Sequence, residues 1–283
     1  MFRTITNYLH AGEFTERIKR RHRLWWREAE PLKKNLLTKD HSLDDWQDEE
    51  LWQRRLSNKL NAKEFAALNG CKTAGLYWKG RDVENIDFSS LPSHYVIRPA
   101  MGCGSKGVFL MKNGINLFDQ KVYSPQQIIR LLQQRIKEHP NQFMLVEEFL
   151  QNEAGEHTIL DDYKFFCFNG KIASVGVINR LSPETGFVNY LDEHWTPMKP
   201  LALPYPYPIK QGQEKPKCFD EMLEHVKMLS RLYKVFVRLD FYATPKGAVF
   251  GEFTPTPSLG LGFSRFGHQL LVKYWDEYCQ GEA

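Results

Sequence analysis

Hydrophobic and polar positions are patterned most sharply near the carboxyl end of the chain. From Val235 to Thr254, two runs rich in β-branched and aromatic residues flank Pro245-Lys246-Gly247, which is the pattern of a β-hairpin. A three-residue turn with Gly247 at the φ > 0 position sets Thr244 opposite Ala248, Tyr242 opposite Phe250, Asp240 opposite Glu252 and Arg238 opposite Thr254. Strand side chains alternate between faces, so Arg238, Asp240, Glu252 and Thr254 share one face. A second hairpin is predicted over Asp162–Arg180, turned at Asn169-Gly170, with Asp162, Lys164, Phe166 and Phe168 alternating onto one face. Helical spacing is clearest in 124–137, where Ser124 is the cap, Pro125 the first helical residue, and Ile128, Leu131, Leu132 and Ile136 face a core. Two further helices are expected over 57–70, stopped at Asn69-Gly70, and over Phe219–Tyr233.

The first 56 residues read as helical and polar. They hold a basic run from Arg17 to Arg27 and a capping box at Ser42-Leu-Asp-Asp45 that opens a helix carrying Trp46, Leu51 and Trp52. The basic run has two readings: docking onto an anionic membrane surface, an acidic polymer or a partner, or a solvated helix face with Leu24 and one Trp in a core. The second is the commoner case. The segment 181–216 is proline-rich and reads as irregular, suited to a lid or a substrate wall.

Between two predicted strands, 92–98 and 108–111, lies Gly102-Cys103-Gly104-Ser105-Lys106-Gly107. Its glycines let backbone N–H groups approach an anion. The loop lacks a GK[ST] ending and leads into a strand, so it is not a Walker loop. A glycine-rich loop between strands suits a kinase-like or ATP-grasp-like phosphate site.

Composition narrows the picture. At 283 residues, 42% hydrophobic and 25% charged, the chain builds a sizeable core of one large or two medium domains. The net charge of +4 suits an anionic ligand such as a nucleotide and does not call for nucleic acid. No apolar run approaches the ~20 residues of a membrane span, and no signal peptide is evident. Five scattered cysteines without a CxxC pair point to free thiols in a reducing cytoplasm.

The opposed Asp240 and Glu252 carry the chemistry. Carboxylates roughly 5 Å apart at Cβ repel unless one is protonated or a cation lies between them. Such oxygen ligands suit Mg²⁺, with Arg238 beside it facing phosphates.

Six segments in order give a family resemblance: Asn58-Lys59-Leu60; Val96-Ile-Arg-Pro99 with Gly102–Gly107; Val146-Glu-Glu-Phe-Leu150; Asp162–Lys171; Val237–Tyr242; and Gly251–Pro257. Together they resemble the ATP-grasp superfamily, and more narrowly the TupA-like ATP-grasp family associated with teichuronopeptide and polysaccharide biosynthesis. The resemblance implies an α+β ATP-grasp fold, two lobes with antiparallel sheets sandwiching ATP, after a helical amino-terminal extension. Its divisions are 1–56, 57–145 with the glycine-rich loop, and 146–283 with the metal site. It implies that Lys59, Arg98 and Lys164 contact ATP phosphates, that Gly102, Gly104, Ser105, Lys106 and Gly107 close over them, and that Glu147, Glu148, Phe149 and Leu150 hold adenine. Glu153 or Glu156 binds the ribose. Asp240, Glu252 and Thr254 hold Mg²⁺. Arg238, Arg180 and Lys164 act in catalysis. Two departures stand out: Arg98 where most of the superfamily has Lys, and Thr254 where many members have Asn.

The implied reaction is ATP-dependent joining of a carboxylate to an amine through an acyl-phosphate. No protein nucleophile is required, in line with the lack of a Ser/His/Asp or Cys/His constellation. By resemblance, the setting is amidation of a uronic-acid-containing cell-surface polysaccharide or its precursor with an amino acid or other amine. The implied location is the cytoplasm, peripheral to the inner face of the membrane. A kinase on the same fold that phosphorylates a hydroxyl, and a non-catalytic nucleotide-binding scaffold, are the alternatives.

Overall fold

The computed structural model describes residues 12–26, 35–101, 107–182, 185–202, 207–210 and 212–279. In chain order, helix α1 (Glu13–Trp25), the single turn α2 (Leu43–Trp46), a 3₁₀ segment (Trp52–Ser57) and helix α3 (Lys59–Leu68) come first. Strands β1 (Lys72–Thr73), β2 (Leu76–Gly80), β3 (His94–Pro99), β4 (Phe109–Lys112), β5 (Ile115–Asn116) and β6 (Lys121–Val122) follow, then helix α4 (Pro125–Glu138) and β7 (Met144–Glu148). The chain continues through β8 (Asp162–Phe168), β9 (Lys171–Arg180), β10 (Gly186–Leu191), helix α5 (Phe219–Tyr233), β11 (Phe236–Thr244), β12 (Gly247–Thr254), a 3₁₀ turn (Pro257–Gly260) and helix α6 (Arg265–Tyr278).

Two six-stranded sheets result, ordered β2-β7-β3-β4-β5-β6 and β1-β12-β11-β8-β9-β10. Every pairing of the named strands is antiparallel except β1 beside β12. The fold is α+β with antiparallel-dominated sheets, as expected. Strand β7, through which the expected 145/146 division runs, is hydrogen-bonded to β2 and β3 within the first sheet.

Local sequence accounts for several elements. Asn169 and Gly170 both take positive φ, 46° and 85°, and close the β8–β9 hairpin in two residues, as Asn-Gly favours. Ser124 and Gln127 form a reciprocal capping box on α4. Ile128 and Leu132 are buried there, whereas Leu131 is 42% exposed, because only a narrow stripe of the helix meets the sheet. The helix expected after Ser42 lasts a single turn. Leu51 takes a left-handed φ of 57°, and the chain resumes as 3₁₀, so Trp46 and Trp52 reach the core from separate segments. The 181–216 segment is less irregular than expected. Its Gly186–Leu191 pairs along β9, and Trp195 packs on Tyr163 and Phe219. That ring is therefore core rather than lid.

The β11–β12 register differs from expectation at one end. Thr244 pairs with Gly247, Ala243 with Ala248, Tyr242 with Val249 and Phe241 with Phe250. A one-residue shift between Asp240 and Phe241 then restores Asp240↔Glu252 and Arg238↔Thr254. The turn brings the strands together one residue earlier, and a β-bulge at Gly251 takes up the extra residue.

Helix α1 is built into the second sheet's core. Phe14 and Ile18 pack with Phe236, Phe263 and Trp275. Arg21 is fully buried, donates to the Phe236 carbonyl at 2.7 Å and lies against the Trp25 and Trp275 rings. Burial pulls its pKa down to about 10. Arg17 pairs with Asp276 at 2.6 Å and with Glu13. Trp25 is buried and Leu24 exposed. These cations of the basic run thus have partners within the chain. Among the described residues no helix is long and apolar enough to cross a membrane. Cys71, Cys167, Cys218 and Cys279 are free thiols, while Cys103 lies outside the described residues.

Phe236 ties these layers together, with ring centroids 5.2 Å from Phe14, 4.9 Å from Phe168 and 5.7 Å from Trp275. Phe236→Ala is expected to destabilise the protein by about 3–5 kcal/mol. Urea unfolding checks this; a loss below about 1 kcal/mol would show that α1 and α6 are not anchored through this ring.

Candidate active site

The face shared by Arg238, Asp240, Glu252 and Thr254 also receives Lys164 from β8, which pairs with Asp240 in register. Asp240 is 2% exposed. A carboxylate so deprived of water needs partners. Lys164 Nζ donates to its Oδ2 at 2.6 Å, and Arg238 donates from Nε to Oδ1 and from Nη2 to Oδ2, each at 2.7 Å. Burial raises the pKa of Asp240, and Arg238 and Lys164 offset this only in part. Lys164 itself is raised: burial would lower it, but Asp162 and Asp240 outweigh that.

Arg238 Nη2 further reaches Glu252 Oε1 at 3.1 Å and Thr254 Oγ1 at 3.0 Å. Thr254 in turn donates to Glu252 at 3.1 Å. The three residues expected to hold a metal ion therefore do converge, and a guanidinium nitrogen lies between them. Their oxygen-only donor set fits a hard cation such as Mg²⁺. Among the described residues no group of three or more His, Cys, Asp or Glu is arranged to hold a metal ion; an ion on Asp240, Glu252 and Thr254 would need further ligands, of the water and phosphate kind that Mg²⁺ commonly takes.

The amino-terminal half supplies the other cations. Lys59 opens α3 and lies 3.8 Å from Glu252 Oε2. Burial alone would raise the Glu252 pKa, but Lys59 and Arg238, with Lys164 and Arg98, hold it down at about 2. Arg98 Nε donates to Glu147 Oε2 at 2.5 Å, and Lys63, one turn beyond Lys59 on α3, pairs with the same carboxylate. Glu147, expected at the adenine, thus has its side chain committed to two cations inside the protein. Burial opposes its ionisation, and Arg98 and Lys63 overcome this and lower its pKa. Asp162 lies 3.5 Å from Lys164 and 3.6 Å from Arg180.

The structure thus gathers Lys59, Arg98, Lys164, Arg180, Arg238, Asp240, Glu252 and Thr254 into one linked array. Lys63 and Asp162 join it without having been singled out. The i, i+4 spacing from Lys59 was the signal for Lys63, and alternation with Lys164 was the signal for Asp162. Six cations face the four carboxylates Glu147, Asp162, Asp240 and Glu252. The surplus of positive charge suits a polyphosphate.

The other expected residues make contacts outside this array. Glu148 accepts from Gly75 N at 3.0 Å and pairs with Lys246. Phe149 and Leu150 are buried. Glu153 accepts from Cys218 N at 3.3 Å, and Glu156 from Asn152 at 3.1 Å. Gly107 takes a positive φ of 73°, while Gly102, Gly104, Ser105 and Lys106 lie outside the described residues.

The α+β fold with two antiparallel-dominated sheets is that of the ATP-grasp class. Within it the chain belongs to the TupA-like ATP-grasp family, whose model matches residues 37–269. The fold is similar to that of a D-alanine–D-alanine ligase from Bacillus anthracis solved with ATP (TM-score 0.50, 13% identity, covering 80% of this chain and 67% of that one). It is also similar to the VanG D-Ala:D-Ser ligase from Enterococcus faecalis (TM-score 0.50, 16% identity, covering 80% and 63%). The chain thus spans about two thirds of the length of these ligases. No curated protein sequence matches the chain.

A pH dependence follows from Glu252. Its folded pKa, about 2, lies below the ordinary 4.5. The stability it contributes is therefore full above 4.5 and is lost as pH falls toward 2. Asp240, shifted the other way, contributes in the opposite sense. In Glu252→Gln the wild-type drop in urea midpoint between pH 4.5 and 2 is expected to shrink, and an unchanged profile would contradict the assignment.

Proposed function

We propose that this protein is an ATP- and Mg²⁺-dependent ligase that joins a carboxylate to an amine through an acyl-phosphate. The observation that carries the reading is the facing Asp240 and Glu252 with Arg238, Lys164 and Lys59 converging on them. In this reading Asp240, Glu252 and Thr254 hold Mg²⁺, which supplies charge neutralisation at the transferring phosphoryl group. Lys59, Arg98 and Lys164 hold ATP phosphates under the loop 102–107. The segment Glu147–Leu150 holds adenine, chiefly through its backbone, and Glu153 or Glu156 the ribose.

The substrate carboxylate attacks the γ-phosphorus and ADP leaves. The amine nitrogen then attacks the acyl carbon, phosphate leaves, and the nitrogen loses a proton. Arg238 and Arg180 stabilise negative charge as it shifts among these oxygens. In this reading the ATP-grasp lobes are 57–145 and 146–283. By the sequence resemblance alone, we take the acid to be a uronic acid of a cell-surface polysaccharide or its precursor and the acceptor to be an amino acid or other amine. The reaction would take place on the cytoplasmic side of the membrane.

Titration with a non-hydrolysable ATP analogue, with and without Mg²⁺, tests the reading. Wild type is expected to bind with Mg²⁺ and Glu252→Gln at least ten-fold more weakly. Absence of binding to wild type would sink the proposal. Release of ADP with a phospho-ester, rather than with an amide and free phosphate, would move the reaction to a kinase.

A further inference from the structure

Strand β11 carries one more polar side chain on its charged face. Arg238, Asp240 and Tyr242 alternate along that face. Of the nine β11 residues only Arg238 and Tyr242 are not buried. These two are open to solvent, and Asp240 between them is closed in. A glycine seats the tyrosine ring. A Cβ on Gly251, at the bulge, would stand 3.1 Å from the Tyr242 ring and 3.0 Å from the Asp240 carbonyl, so the missing side chain lets the ring lie close against the strand.

The Tyr242 hydroxyl stands among Asp162, Glu252 and Asp240 of the second sheet and Arg98 of the first. Burial and these carboxylates hold its pKa well above the ordinary value. The phenol is therefore neutral and has a proton to donate. Acceptors surround it, yet among the described residues the hydroxyl has no hydrogen-bond partner. Lys59, Arg98 and Lys164 already supply charge for phosphates. A neutral donor beside them suits a neutral oxygen.

Position along β11 indicates which oxygen. Asp240, assigned to Mg²⁺ in the ligase reading, lies two residues before Tyr242, roughly 7 Å along the strand. Two residues beyond Tyr242, the Thr244 backbone reaches the Cys218 side chain, and the Cys218 amide donates to Glu153 at 3.3 Å. At the following turn, Lys246 pairs with Glu148. Strand β11 thus runs from the phosphate end of that reading toward its ribose and adenine end, with Tyr242 between them. A ribose hydroxyl has one donor and two acceptor lone pairs, whereas a carboxylate such as Glu153 can only accept. An acid alone leaves the lone pairs of that oxygen unserved, and the Tyr242 O–H supplies the missing donor.

We propose that Tyr242 is a specificity-determining residue of the nucleotide site, donating to a ribose hydroxyl oxygen so that the site selects ribonucleotides over deoxyribonucleotides. The inference rests on the ligase reading and adds a contact to its nucleotide. A site built to bond a hydroxyl discriminates against the analogue that lacks it. The test titrates a non-hydrolysable ATP analogue, and its 2′-deoxy and 3′-deoxy forms, into the full chain with Mg²⁺, for wild type and Tyr242→Phe. Wild type is expected to bind one deoxy form at least ten-fold more weakly than the ribose form. Tyr242→Phe is expected to weaken the ribose form about ten-fold and that deoxy form less than two-fold, so the two changes are not additive. Its urea midpoint is expected to match wild type, because the hydroxyl has no partner within the protein. Unchanged binding of the ribose form by Tyr242→Phe would overturn the inference. So would equal weakening of all three forms, which would place the hydroxyl on a phosphate, or a lowered urea midpoint, which would assign it to the fold. Failure of every form to bind wild type would overturn the ligase reading, and this inference with it.

Discussion

The Asp240 carboxylate sets the terms for the rest of the second sheet. Left unpaired at 2% exposure, an ionised carboxylate would cost several kcal/mol. Its three contacts from Lys164 and Arg238 are therefore a condition of the fold as much as a feature of the site. Those contacts hold only if β8 and β11 keep the register that sets Lys164 against Asp240, and if β12 presents Glu252 rather than a neighbour. A one-residue slip would turn every side chain on a strand to the opposite face, sending these charges into the apolar layer of Phe165, Leu239 and Phe241. The Gly251 bulge is thus a registering device: it lets a tight turn and an Asp240–Glu252 pairing coexist.

Helix α3 couples this array to the first sheet. Lys59 faces Glu252, and Lys63 on the next turn faces Glu147. Leu60 packs with Ala100 and Leu145, while Phe65 and Ala66 join the core of the second sheet. The Lys59 amide donates to the Ala100 carbonyl at 3.0 Å. One short helix thereby fixes the separation between the two groups of charges. Arg98, bound to Glu147, has its guanidinium positioned by a buried acid, where a lysine would offer one point charge in place of a planar fork.

Local signals carried much of this into the sequence. The Asn169-Gly170 turn, the α4 capping box and the one-face set of Arg238, Asp240, Glu252 and Thr254 were all legible, because each depends on spacings within one element or across one tight turn. The expected pairing of Asp240 with Glu252 holds although its turn was one residue too long, since the bulge cancels the error. Strand β10 was hidden by proline-rich surroundings. Its burial depends on β9 and on Tyr207 from a later segment, whose ring stands close to Gly186. The commitment of Glu147 to Lys63 and Arg98 was illegible because it joins positions 84 and 49 residues apart.

The pocket beside the charged array, walled by Gly176, Tyr190 and Phe263, is less legible in the sequence than the array itself, and for a physical reason. The array is made of charges, so its residues show as Lys, Arg, Asp and Glu at strand spacing whatever the surroundings. The neighbouring pocket is defined by missing volume at Gly176, by the commitment of the Tyr190 hydroxyl, and by a left-handed turn pinned by Thr15 some 245 residues away in sequence. None of these has a motif. A wall supported by α1 can also change shape with substitutions in that helix, without disturbing Asp240 or Glu252 on β11 and β12. Substitutions in α1 or in the 257–263 loop would therefore reshape that pocket first, while the charged array stayed as its own burial requires.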